Sequence, residues 1–367
     1  MSSTANKLVQ PADIQATLNK IWESLETKSV ARASLFNLIF FTQKNSRTPY
    51  FQKIASKVVE KFPSRVIFIS VDKNAKEDFL KTEVSILSSS KGEFDVACDY
   101  IQFEAAGASQ ARIPFIVLPH ILPDLPVYLV LAEDPSKEDP LTLQLEQFAQ
   151  RLIFDSESTD NLPRFASSIL KHYELSHTDI ADLNWARTES WRDLMSMIFY
   201  SPQRLQQIQR AKSLNITFNA HESQFFCHTR IQAIYVSTWL ACQLGWKFLN
   251  LRFDKDLLIF NYQTPASNVE ITLAASDIAT LPPGLILDLE LTTLDSQKFS
   301  FNRNREQIHQ ITIQISDATM CALPAHYFST KVESGHSLVK EIGHRGTSSH
   351  YLKVLQQITQ MQMLGIC

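Results

Sequence analysis

One stretch constrains the fold more than any other: an apolar run, a helical pattern and a second apolar run within 37 residues, Leu35 to Val71. Leu35–Phe41 reads as a buried strand because its apolar residues are continuous. Thr48–Lys61 reads as a crossover helix, which Pro63 ends, and Val66–Val71 is the next strand. Two strands joined through a helix pair parallel, so this part of the chain is expected to form an α/β layer. A helix over Asp13–Leu25 precedes it, with Ile14, Leu18, Ile21, Trp22 and Leu25 on one face. Val84–Leu87 and Val96–Phe103 read as a hairpin around Gly92, which makes the sheet mixed. Val127–Leu131 is a further strand, and helices are expected from Leu141 to about Leu152 and from Leu162 to Tyr173.

The polar segment Glu174–Asp182 reads as a boundary. Beyond it, Ser201-Pro202 opens a helix, Ile216 and Phe218 mark a short strand, and Ile231–Cys242 is a long helix with Gly245 as its C-cap. Six β-patterns follow: Phe248–Phe253, Leu257–Tyr262, Val269–Leu273, Leu285–Leu294, Phe299–Asn302 and Ile308–Ile315. Several alternate apolar and polar residues, as strands with one solvated face do. Helices near Ser337–Ile342 and Ser349–Met363 close the chain. The expected fold class is α/β with two domains, each a mixed β-sheet packed with helices. Residues 1–176 form an N-terminal α/β domain. Residues 177–367 form a C-terminal one, with helices, then a largely antiparallel sheet, then two terminal helices. A length of 367 residues suits two cores.

Composition excludes several functions. Only eight glycines occur, and none is spaced as a dinucleotide fingerprint or precedes Lys-Ser/Thr as in a phosphate loop. A backbone cradle for pyrophosphate needs glycine for close approach, so no such cofactor is expected. A formal charge of −3 gives no electrostatic reason for nucleic acid or an anionic membrane as partner. Five widely spaced cysteines fit a reducing cytoplasm better than a disulfide framework. The most apolar window, Ile113–Ala132, holds four prolines with His120 and Asp124, so a membrane span is not expected. There is no His-Glu-x-x-His pair, no Cys/His cluster at zinc spacing and no Gly-x-Ser-x-Gly elbow. No metal site and no catalytic residue is therefore assigned. His326, His336, His344 and His350, with Lys340 and Arg345, read as a solvated end or as a pocket for an anion.

The segment Asp182–Asp193 concentrates residues suited to an interface. Trp191, Leu194, Met195, Ile198 and Phe199 give a helix one apolar face, with Thr188 as its N-cap. Trp185 and Arg187 are expected on the loop leading into that helix, where they can face another chain; Trp191 and Arg192 follow. Trp and Arg are over-represented at the energetic centres of interfaces. The alternative is a tryptophan buried under a helix start.

Several segments resemble the glucose-6-phosphate dehydrogenase assembly proteins, the OpcA family. Ala31-Arg32-Ala33-Ser34-Leu35-Phe36-Asn37-Leu38-Ile39 looks like its first strand, and Phe62-Pro63-Ser64-Arg65-Val66-Ile67 its Pro-Ser-Arg turn. Leu118-Pro119 with Leu122-Pro123-Asp124-Leu125-Pro126-Val127 is similar to its proline-rich segment. Arg151-Leu152-Ile153-Phe154-Asp155-Ser156 looks like its Arg-x-Ile-x-Asp-Ser motif. Asp182-Leu183-Asn184-Trp185-Ala186-Arg187 with Trp191-Arg192 resembles its second-domain signature, and Trp239-Leu240-Ala241 with Leu244-Gly245-Trp246 the end of its long helix. Six such segments in the right order cover most of the chain. After Pro126, where the family often carries tryptophans, this chain has Tyr128-Leu129-Val130-Leu131. A cysteine-based redox response described for some members has no matching cysteine pair here.

The resemblance implies a cytoplasmic, non-catalytic factor that binds glucose-6-phosphate dehydrogenase, favours its active oligomer and so regulates the oxidative pentose phosphate pathway. The other readings are a sugar-phosphate-binding sensor and an unrecognised sugar-phosphate enzyme. The residues assigned to partner binding are Trp185, Arg187, Trp191, Arg192, Arg65, Asp124, Arg151 and Asp155. The last four are expected at one edge of the first sheet, either as a charged cluster open to a partner or as internal ion pairs that fix turns.

Overall fold

The computed structural model describes residues 2–25, 30–89, 95–265, 267–329 and 335–361. The expected class holds: there are two mixed sheets, each packed with helices. By their contacts the residues fall into two compact units. The first is Met1–Ser158, His172–Leu183 and Ser334–Gly346; the second is Thr159–Lys171, Asn184–Glu333 and Thr347–Cys367.

The first unit runs β1 (Ser2–Ser3), β2 (Lys7–Val9), α1 (Ile14–Glu23), β3 (Val30–Arg32), β4 (Asn37–Gln43), α2 (Thr48–Val59), β5 (Arg65–Asp72), β6 (Phe79–Ser89) and β7 (Asp95–Ala106). It continues through α3 (Ile113–Val117), β8 (Val127–Leu131), α4 (Pro140–Glu146), β9 (Arg151–Phe154), α5 (Leu162–Ser176), whose residues up to Lys171 fall in the second unit, and β10 (Asp179–Asp182). Six strands pair parallel in the order β7-β5-β4-β8-β9-β10. Numbered as they occur in the chain, these strands read 3-2-1-4-5-6, the doubly wound order. The antiparallel β6 joins the β7 edge and carries β1 and β2, while β3 pairs parallel with β7. Residues 38–42 of β4 and 65–71 of β5 are buried without a break, as strands covered on both faces are. Helix α2 contributes Tyr50, Phe51, Ile54, Ala55, Val58 and Val59 to that core.

Two expectations are corrected here. The helix starting near Leu141 stops at Glu146, and Arg151–Phe154 is a strand lying between β8 and β10. Leu152, Ile153 and Phe154 are apolar in a row because a central parallel strand is buried on both sides. The polar stretch Glu174–Asp182 is not a linker: α5 runs to Ser176, and Asp179–Asp182 pairs with Arg151–Phe154. Ladder pairing ties residues 179–182 to the first sheet. The tip around Gly92 lies outside the described residues, although its flanking strands pair as expected.

The second unit holds α6 (Leu183–Arg187), α7 (Glu189–Ile198), α8 (Pro202–Gln209), β11 (Ala211–Asn219), α9 (Ile231–Gln243), β12 (Lys247–Asp254), β13 (Leu257–Gln263) and β14 (Asn268–Ser276). It then adds β15 (Ile286–Thr293), β16 (Lys298–Arg303), β17 (Gln310–Ser316), β18 (Ala325–Phe328) and, after α10 (His336–Gly343) of the first unit, α11 (Ser349–Ile358). Its eight strands run β12-β13-β14-β11-β15-β16-β17-β18, antiparallel except for β11 with β14. Helix α9 packs on β11 and β14 and against α11. Strand β15 alternates buried Leu289 and Leu291 with partly exposed Asp288 and Glu290, so one sheet face is the core and the other is polar. Gly245 ends α9 at φ 65°, with Trp246 N–H closing on Ala241 O at 2.9 Å. That left-handed conformation suits glycine best.

Candidate functional site

In an open sheet of this order, ligands bind beyond the carboxyl ends of the strands, at the switch point between the first and fourth strands. Here that point lies between β4 and β8, and the loop Lys44–Arg47 overhangs it. Every other parallel strand ends with or near an acid: Asp72 in β5, Glu104 in β7, Glu133 after β8, Asp155 after β9 and Asp182 in β10.

The β4–α2 loop gathers most of these acids. Lys44 pairs with Glu104 and lies 3.7 Å from Asp72. Gln43 Nε2 donates to Glu133 Oε2 at 2.9 Å, directly across the switch point. Arg47 pairs with Asp155 and lies over the Phe51 ring at 5.2 Å. Lys73 approaches Asp139 at 3.0 Å and Glu133 at 3.9 Å. The hydrogen bond and charge of Glu104 raise the Lys44 pKa, and burial pushes the Glu133 carboxyl above its usual range although Lys73 and Gln43 oppose it. Asp182 accepts from Ser156 N–H at 2.9 Å and so ties β10 to the turn after β9.

A dinucleotide does not fit this crevice. A pyrophosphate cradle needs free amides at the helix start. The amide of Lys44 donates to Val71 O, that of Asn45 to Thr48 Oγ1, that of Arg47 to Asn45 Oδ1 and that of Thr48 to Asn45 O. Pro49 has no N–H. Charge gives the same answer, because Lys44 and Arg47 already face carboxylates that would repel a phosphate. Among the described residues the crevice is lined by side chains of the chain itself that pair with one another.

The residues assigned on sequence are dispersed. Arg65 and Arg151 start β5 and β9, at the amino ends of the strands, whereas Asp155 follows the carboxyl end of β9. The single charged edge is therefore corrected to two opposite edges. At the amino edge Arg65 donates Nε to Asp99 at 3.0 Å and Nη1 to His120 O at 2.9 Å. Asp99 also accepts from Arg32 and from Trp22 Nε1, each at 2.7 Å. Burial opposes ionisation of Asp99, but Arg65, Arg32 and Trp22 outweigh it and hold the carboxyl below its usual range. His120 is lowered by burial and by Arg65. Arg151 donates to Glu341 at 2.9 Å and Gly346 O at 3.0 Å, which fixes α10. Asp124 is exposed at φ 65° in the proline-rich turn.

Sequence reading missed Asn37, which is fully buried. Its amide nitrogen donates to Leu122 O and Leu125 O, and its Oδ1 accepts from Leu122 N–H, so it holds that turn. Arg47, Gln43 and Lys44 were missed as well. A cation-rich loop after the first strand, in place of glycines, was the available signal.

In the second unit Trp185 is not on a loop: Leu183–Arg187 is helical and Trp185 is 4% exposed. Its ring lies 5.4 Å from Tyr351 and 6.3 Å from Tyr235, with the Arg192 guanidinium 3.5 Å above its centroid. Thr188 precedes α7 as expected, but its hydroxyl donates to Trp185 O at 2.8 Å rather than capping. Trp191 is buried beside Arg303. Arg303 is itself buried, donates to Ile286 O at 2.8 Å and is pulled down to about 10 by burial and Arg305. Arg187 is half-buried, bonded to Asn184 at 2.6 Å and 5.0 Å from the Phe226 ring. Of the C-terminal histidines, His336 and His344 belong to the first unit, His326 and His350 to the second. Among the described residues no group of three or more His, Cys, Asp or Glu is placed to hold a metal, and no helix is long and apolar enough to cross a membrane.

Fold and crevice together define a class: a two-unit α/β protein that keeps the strand order of dinucleotide-binding sheets but fills the cofactor crevice with its own side chains. Residues 55–169 match the glucose-6-phosphate dehydrogenase subunit N-terminal domain, and residues 178–325 match its C-terminal domain. The chain belongs to this family. A Synechococcus elongatus protein carrying the name OxPP cycle protein OpcA is 28% identical over 218 residues, 58% of this chain and 46% of that protein. Its namesake in Nostoc punctiforme is 24% identical over 208 residues, 55% of this chain and 42% of the relative. The matched stretches thus span under half of these relatives' length. An NAD binding oxidoreductase from Klebsiella pneumoniae superposes with a TM-score of 0.52 at 8% identity, over 90% of this chain and 96% of that one. At that identity the likeness concerns the fold alone.

Proposed function

We infer that this chain is a non-catalytic cytoplasmic partner of a glucose-6-phosphate dehydrogenase, binding the enzyme and favouring its active oligomer. It would thereby control entry into the oxidative pentose phosphate pathway. The observation that carries this reading is the match of both halves of the chain to that dehydrogenase's subunit domains. The self-filled crevice supports it, since a chain that cannot seat a dinucleotide has little use for a hydride-transfer sheet. An effector of this kind works by linkage: it shifts the enzyme's equilibrium by its differential affinity for the active assembly, typically about 1–3 kcal/mol. Of the residues assigned to the contact, Trp185, Trp191, Arg65, Arg151 and Asp155 are buried. Arg187, Arg192 and Asp124 retain exposed atoms and are the ones proposed to touch the partner.

The test mixes purified chain with its cognate dehydrogenase and follows rate and light scattering together. The expected result is an activity gain that saturates at fixed stoichiometry and coincides with a mass increase, weakened by Arg187→Ala and Asp124→Ala. Glucose 6-phosphate oxidation by this chain alone, or the absence of any complex, overturns it. Thermal stabilisation of the isolated chain by glucose 6-phosphate points instead to a sugar-phosphate sensor.

A further inference from the structure

Strand β12 is a sheet edge eight residues long: it pairs with β13 on one side and, among the described residues, with nothing on the other. The opposite edge, β18, has only four residues. Long open edges invite strand addition, and proteins blunt them with charges and bulges. Strand β12 carries both, with Lys247, Arg252 and Asp254 exposed and a register shift between Phe248 and Asn250 that leaves Leu249 as the extra residue. Leu249 and Phe253 are each 43% exposed.

The bulge has a further effect. Side chains alternate faces along a regular strand, so Phe248 would oppose Leu251 and Phe253. With Leu249 extra, Phe248 pairs with Tyr262, Leu251 with Phe260 and Phe253 with Leu258, so all three share the face of those buried partners. Lys247, Asn250, Arg252 and Asp254 share the polar face. The strand then reads the same from both ends when centred on Leu251.

The geometry points to β12 as a self-complementary edge that pairs antiparallel with β12 of a second copy, across a two-fold axis at Leu251. In that register Leu251 meets its own counterpart and Phe248 meets Phe253 on the core face. On the polar face Asn250 meets Arg252, and Lys247 meets Asp254. Phe248 with Phe253 thus sets aromatic against aromatic, Lys247 with Asp254 sets opposite charges together, and both sheets become one. A two-fold contact repeats every off-axis pair twice, so the charge match counts double. Had the charges served only to repel a second edge, like charges would meet in this register; instead opposite ones do. The dimer rests on β12 alone. Its consequence, two dehydrogenase-binding surfaces presented together so that they bridge enzyme subunits, rests on the function proposed above.

The test is sedimentation velocity of the full chain over about 1–100 μM, where an interface below standard size dissociates measurably. The expected result is a reversible monomer–dimer equilibrium. Asp254→Lys sets lysine against lysine at both ends and weakens dimerisation about tenfold or more. Lys247→Asp with Asp254→Lys in one chain exchanges the two charges and restores the wild-type constant. Unchanged thermal unfolding of the variants separates this from misfolding. A chain that stays monomeric throughout the range overturns the proposal and leaves bulge and charges as edge protection. So does a dimer indifferent to Asp254→Lys, or one that the exchange fails to restore. None of these results bears on whether the monomer activates the dehydrogenase.

Discussion

The two ends of the parallel sheet are both laced with ion pairs, yet they differ in what water can reach. At the amino end Arg65 and Asp99 are 5% and 2% exposed, and Arg151 and Glu341 are 5% and 7% exposed. At the carboxyl end Lys44 is half exposed over Asp72 and Glu104. Buried pairs are costly to break because the abandoned charge stays in low dielectric, whereas exposed pairs are worth little. The amino end is thus an internal strut. The carboxyl end, where related folds seat a ligand, joins one mostly buried pair, Arg47 with Asp155, to a loosely held electrostatic plug at Lys44.

Between the two ends, the larger effect should come from the amino one. Arg65→Ala removes the buried partner of Asp99, leaving it the part-exposed Arg32 and Trp22, and is expected to cost about 3 kcal/mol of unfolding free energy in a urea titration. A loss close to that of an exposed substitution would erase the distinction between the ends. Trp185→Ala, in the other unit, should cost about 3–5 kcal/mol as a large-to-small core change, which makes it unsuitable as a probe of partner binding.

Acid gives a sharper handle. Asp99 has a depressed folded pKa, so its contribution is fully present above its unfolded value of about 3.9 and is lost as pH falls through the folded value. Stability followed from pH 5 downward should therefore decline, and Asp99→Asn should flatten that limb. An identical acid limb in the variant would assign the decline to other carboxylates.

Smaller still, Lys44→Ala should cost no more than about 1 kcal/mol and lose even that in high salt. A cost of several kcal/mol would make the plug a strut as well. The smallest expected effect is none: NAD or NADP should leave the melting temperature unchanged. A clear upward shift would show that the loop opens to admit the cofactor.

How much was legible followed from where each signal resides. The crossover unit, the alternating strands of the second sheet and the Gly245 cap are local patterns, and all appear where expected. Arg151 and Leu152 read as the tail of a helix because the four residues Arg151–Phe154 carry no period of their own. Their identity as a strand depends on β8 and β10 lying on either side. Trp185 reads as a loop residue because Thr188 resembles the N-cap of the helix that follows. What buries it are Tyr235 and Tyr351, distant in the chain. Arg65 and Asp155 were grouped because both flank strands, but one precedes its strand and the other follows, and strand direction sends them to opposite edges.

The sequence by itself determined the fold class, because hydrophobic period and turn chemistry are properties of neighbouring residues. It also excluded a glycine-built phosphate cradle, since no later contact can supply a missing residue type. Tertiary structure alone decided that the six parallel strands take the 3-2-1-4-5-6 order, that acids from separate strands converge on the β4–α2 loop, and that Lys44, Gln43 and Arg47 answer them. Such pairings join residues up to 108 positions apart, as Arg47 and Asp155 are. Their energy depends on distance in space and burial, neither of which local patterning encodes.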